Sequence, residues 1–81
     1  MTKKIVVRSI NNNDQSLCVD IFRRIDKTYG FEEYRRDKET YDGWYKVNVY
    51  EHNIYLTEKE ASADAYKYVY WLRENNKMTD L

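Results

Sequence analysis

The sequence predicts a small α+β domain, an antiparallel sheet of three to four strands with two helices, in the order β-α-β-β-β-α. Three observations carry that prediction. The stretch WYKVNVY alternates its side chains with the period of two that marks a half-buried strand. Thr57 followed by Glu60 is a capping box, which opens a helix bearing Ala61 and Ala65. Leu17, Cys18, Ile21, Phe22, Ile25 and Tyr29 recur at a spacing that places them on one side of a helix.

Each element follows in order. Residues 4–8, KIVVR, are short and β-branched, as a strand requires. NNND then turns the chain, because Asn and Asp tolerate turn conformations. Asp14 is placed as the N-cap of the first helix, and Gly30 follows Tyr29 as its C′ residue. FEEYRRDKETY is read in part as a charged edge strand, since charges on an edge discourage aggregation. Asp42-Gly43 signals a tight turn. In the strand after it, Tyr45, Val47 and Val49 take one face, and Trp44, Lys46, Asn48 and Tyr50 the other. EHN turns the chain again, and IYL forms a last strand with Ile54 and Leu56 inward. The capped helix runs to about Glu74, with Ala61, Ala65, Tyr68, Val69 and Leu72 as its core stripe. Residues 1–76 form the domain and residues 77–81 a frayed tail.

Composition narrows the function classes. With 14 basic and 14 acidic side chains the formal net charge is zero, which argues against a general nucleic-acid binder and against an acidic mimic of DNA. One cysteine forms no internal disulfide, so the cytoplasm is the expected compartment. The apolar run IVV is too short for a signal peptide, and no run approaches the roughly 20 apolar residues of a membrane span. Heavy use of Asn, Lys, Tyr and Ile fits an AT-rich gene, as in phages and low-GC bacteria.

Chemistry-bearing motifs are scarce. His52 is the lone histidine and sits in a predicted turn. Cys18 reads as a small core residue. One Cys and one His do not make a zinc site, and no glycine-rich phosphate loop is present. Glu32, Glu33, Asp37 and Glu39 read more simply as a charged edge than as paired catalytic carboxylates. No enzyme activity, metal or cofactor is expected.

Two aromatic surfaces remain. On the last helix, Tyr66 and Tyr70 stand one turn apart, away from the core stripe, with Arg73 beside them and Trp71 on the flank. They read as an i,i+4 pair that supports the helix, as a protein interface, where Tyr, Trp and Arg dominate binding energy, or as a stacking surface for single-stranded bases, which the neutral charge disfavours. The sheet face away from the helices is expected to display Trp44, Lys46, Asn48, Tyr50 and Tyr55, as cross-strand pairs, a binding platform or a homodimer surface.

The segment from Gly43 to Leu72 also resembles the strand–turn–strand–helix unit of plant ethylene-response-factor DNA-binding domains and of integrase arm-binding domains, through Gly43, Trp44, Thr57, Glu60, Ala61, Ala63, Ala65 and Tyr66. The resemblance implies a hairpin packed on a helix and a sheet that meets nucleic acid. Those families read DNA with arginine-rich strands, whereas this hairpin offers Lys46 and His52.

The expected function is therefore a non-enzymatic, protein-binding regulator, in the setting of a phage-encoded inhibitor or modulator of a host antiviral system. Its candidate partner-binding residues are Tyr66, Tyr70, Trp71, Arg73, Trp44, Lys46, Tyr50 and Tyr55. The alternative is a nucleic-acid-binding module that uses the exposed sheet face.

Overall fold

A computed structural model describes residues 4–37, 43–48, 50 and 52–73. Four strands, β1 (Lys4–Asn11), β2 (Leu17–Arg24), β3 (Tyr29–Arg36) and β4 (Trp44–Asn48), form an antiparallel meander in the order β1-β2-β3-β4. The helix α1 (Glu58–Tyr68) lies across β2 and β3, and a further helical turn covers residues 70–73. The small α+β class with an antiparallel sheet stands as predicted. The order differs: the strands come first and the helices last. Residues 1–3, 38–42, 49, 51 and 74–81 lie outside the described set, so the Asp42 half of the predicted turn and the frayed tail do too.

The expected first helix is instead the single strand β2 between two turns, and those turns explain why. The Asp14 carboxylate accepts the Ser16 N–H at 3.1 Å and the Ser16 hydroxyl at 2.6 Å. The Asp26 carboxylate accepts the Thr28 N–H at 3.0 Å and its hydroxyl at 2.6 Å. Between each pair sits a residue in the left-handed region, Gln15 (φ 61) and Lys27 (φ 73). Asp-x-Ser and Asp-x-Thr thus close both hairpins as side-chain turns, and Asp14 caps no helix. β2 mimicked a helical stripe because it is buried on both sides. Val19 and Ile21 face α1, while Cys18 and Phe22 face away, which erases strand alternation. Ile25, expected in the core, is 74% exposed in the turn.

Gly30 ends no helix; it sits in β3 directly opposite Phe22. A Cβ there would lie 2.7 Å from the Phe22 ring and 2.8 Å from the Arg24 guanidinium. Gly30→Ala is expected to cost about 1–3 kcal/mol by displacing that ring. An unchanged denaturation midpoint would contradict the packing. β3 is an interior strand and no edge, so Glu32 and Glu33 are buried on opposite faces of the sheet.

The core joins Val19, Ile21 and Phe31 to Ala61, Ala65, Val69 and Leu72. Four members of the predicted helical stripe are there, but Tyr68 is half exposed. Val69 leaves helical geometry (φ −93, ψ 106) while its N–H still donates to the Ala65 carbonyl at 2.9 Å. That break re-aims the next turn and lets Leu72 reach the core. Thr57 caps α1 as predicted, its hydroxyl accepting the Glu60 N–H at 3.1 Å. The Glu60 carboxylate accepts the Leu56 N–H instead of that of Thr57. Thr57→Ala should cost about 0.5–2 kcal/mol in a denaturant titration.

Candidate functional site

α1 covers one side of the sheet, and no described element covers the other. The strand pairings place Lys4, Val6, Ser9, Asn11, Cys18, Asp20, Phe22, Arg24, Glu32, Tyr34, Arg36, Trp44 and Lys46 on that uncovered face. Of the residues predicted to form it, Trp44 and Lys46 are present, whereas Asn48, Tyr50 and Tyr55 are not.

An irregularity in the β3–β4 register is the reason. Tyr34 pairs with Lys46, yet its neighbour Glu33 pairs with Asn48, so β4 spends two residues on one step of β3. Past that bulge the faces exchange. Asn48 donates to Glu33 at 2.8 Å on the helix side, and the Tyr50 ring packs on Phe31 with centroids 4.7 Å apart. Tyr55 bonds to Tyr29 through both backbone groups, and its ring lies 6.0 Å from Phe31. Tyr55 therefore points inward, and Ile54 and Leu56 outward, opposite to expectation. A second bulge, at Val7, lets Arg8 turn toward the helix and donate to Ser62 at 3.4 Å.

The helical candidates also divide. Tyr66 packs against the core, and Trp71 does so while its indole N–H donates to Glu33 at 3.2 Å. The break at Val69 separates Tyr66 from Tyr70, so they form no exposed pair. Tyr70 is 66% exposed, with the Arg73 guanidinium 5.8 Å from its ring centre.

One half of the uncovered face is roofed by its own long side chains. Glu32 is 1% exposed although no element lies over it. Its carboxylate accepts from Lys4, from Lys46 at 3.1 Å and from the Tyr34 hydroxyl. Burial alone would raise its pKa, but those three donors outweigh burial and hold it below the ordinary carboxylate value. The Tyr34 phenol is pushed up, first by burial and then by its bond to Glu32. Phe22 is sealed in the same way, with Lys4 at 4.5 Å and Arg24 at 4.9 Å from its ring centre. The charged ends of both cations lie over the ring itself, and that of Lys4 also serves Glu32.

The other half is open. Ser9, Asn11, Cys18, Asp20, Tyr34 and Trp44 line a shallow hollow of about 350 Å³. Trp44 forms its wall, 42% exposed, with Arg36 4.8 Å from the ring centre. Burial, then the Asp20 carboxylate that accepts its hydrogen bond, push the Cys18 thiol up to about 12. The thiol is buried as predicted and is protonated at neutral pH, so it is a poor nucleophile. His52 lies exposed in a turn. Among the described residues no three His, Cys, Asp or Glu side chains cluster as metal ligands, and no helix is long and apolar enough to cross a membrane.

No family model, curated protein or solved structure matches this chain. Sequence reasoning missed Phe22, Arg24, Glu32, Tyr34 and Arg36 as members of this face. The two Asp-x-Ser/Thr turns were the signal that would have placed them on strands.

Proposed function

We propose that the chain is a non-enzymatic protein-binding module that docks its partner on the uncovered sheet face, around Trp44. One observation carries this reading: Trp44 stands exposed with Arg36 on its ring, on a strand paired to β3, beside an open hollow. Half-exposed Trp and Arg on a firm scaffold are the side chains that concentrate binding energy in protein interfaces. A host-directed regulator of phage origin is the setting we infer from the composition.

A nucleic-acid platform is the second reading, favoured by Lys4, Arg24, Arg36 and Lys46 sharing the face with, among the described residues, Asp20 and Glu32 as its acids. Lys4 and Lys46 already serve Glu32, and Arg24 donates to the carbonyls of Tyr29 and Asn53. Few charges are left to displace counterions, so any nucleic-acid binding should show a shallow salt dependence.

Affinity capture from lysate, with and without nuclease, tests the choice. Capture should survive nuclease and fall at least about 30-fold with Trp44→Ala, the effect of losing an anchor of about 2 kcal/mol. Capture abolished by nuclease, or untouched by Trp44→Ala, would overturn the proposal.

A further inference from the structure

The hollow beside Trp44 has a chemical preference. Among the described residues Asp20 is its one charged lining residue. Ser9 donates to the Asp20 Oδ1 at 2.5 Å and the Cys18 thiol donates to the same oxygen at 3.3 Å. Both donors are neutral, and both fall on one oxygen. Among the described residues Asp20 has no ion pair and Oδ2 has no hydrogen-bond donor, whereas Glu32, its partner across the strands, carries two lysines. The hollow therefore joins an acceptor oxygen without a donor, in a carboxylate without a countercharge, to an indole wall and the Asn11 side chain at its rim.

We infer that this hollow is an anchor site for a cationic side chain, an arginine or lysine presented by the partner protein. The cation would place its N–H groups on Asp20 Oδ2 and its alkyl stem along Trp44. A carboxylate hydrogen bond to a charged donor is stronger than a neutral one, and an alkyl stem gains from lying on the indole. Arg36 already stands 4.8 Å from that ring's centre, so it is the stem of the incoming side chain, not its charge, that meets the indole. Inside the hollow a phosphate or an acidic side chain would meet the Asp20 charge, since Lys4, Arg24, Arg36 and Lys46 of the same face are not among its lining residues. The inference rests on the docking face proposed above and names what enters it.

N-acetyl-arginine amide, titrated into the ¹⁵N-labelled protein, tests the inference without the partner. Its neutral isostere N-acetyl-citrulline amide is the control. Saturable shifts are expected at Ser9, Cys18, Asp20 and the Trp44 indole with the arginine compound and not with the citrulline one. Asp20→Asn, checked for an otherwise native spectrum, should weaken binding at least about tenfold, as loss of a charged hydrogen bond implies. Equal binding of the two compounds to the wild-type protein, or no shifts at these residues, would overturn the inference with no variant needed. Partner capture separates the two proposals. Loss of capture with Trp44→Ala but not with Asp20→Asn leaves the docking face standing and removes the cationic anchor. Arginine binding that persists while neither variant affects capture keeps the anchor site and removes the docking face.

Discussion

Phe31→Ala is expected to unfold the domain under conditions where the wild-type chain is folded. Phe31 is wholly buried in an interior strand, under α1, and its ring meets those of Tyr50 and Tyr55. Truncating a buried phenylalanine removes its transfer free energy and leaves a cavity, together about 3–5 kcal/mol. A chain of 81 residues has few kcal/mol in reserve. Tyr50 and Tyr55 lie outside the four strands and α1, and Phe31 is what both rings rest on. Phe31→Leu should keep the fold at a smaller loss, because it retains most of the volume. Equilibrium denaturation monitored by circular dichroism reads both variants. A cooperative transition in Phe31→Ala close to the wild-type midpoint would show that Phe31 is not at the centre of the core.

The second large effect concerns the carboxylate under the lysine roof. Lys4→Met combined with Lys46→Met leaves Glu32 buried with Tyr34 as its remaining donor. Breaking a buried ion pair from one side strands a charge and costs about 3–5 kcal/mol. The pH dependence should also change sign. In the wild-type protein the donors hold the Glu32 pKa below its ordinary value. Its contribution to stability is therefore present above the ordinary carboxylate pKa and is lost as pH falls through the lower folded value. Without the lysines, burial dominates and raises the folded pKa. The double variant should then gain stability on acidification through the carboxylate range, where the wild-type pair loses it. Adding Glu32→Gln should recover much of the loss at neutral pH. A double variant as stable as wild type, with an unchanged pH profile, would show that the roof does not hold Glu32.

Much of the second half of the fold was legible in the sequence. The Thr57 cap, the Ala61, Ala65, Val69 and Leu72 stripe and the start of the strand at Trp44 follow from local chemistry that the folded chain keeps. The first half was misread for a physical reason. A central strand buried on both faces loses its period of two, and LCVDIFRR then carries apolar residues at helical spacing. Asp14 and Gly30 read as the caps of a helix, and Asp26-Lys27-Thr28 falls inside the same apparent helix instead of marking a turn. The candidate face was half legible. Trp44 and Lys46 obey strand alternation, but the bulge after Lys46 has no sequence mark and sends Tyr50 to the other side. The charges of FEEYRR read as an exposed edge because the two lysines that bury Glu32 come from β1, two strands away, and from β4, the adjacent strand, both distant from it in sequence.

The docking of a protein partner on the uncovered sheet face can be read by a photo-crosslinking amino acid placed at position 44, compared with one at the exposed Ala63 on α1. In lysate, the probe at 44 should give an adduct that protease destroys and nuclease leaves intact, and the probe at 63 should give none. An adduct from 63 alone, or a nuclease-sensitive adduct from 44, would contradict it.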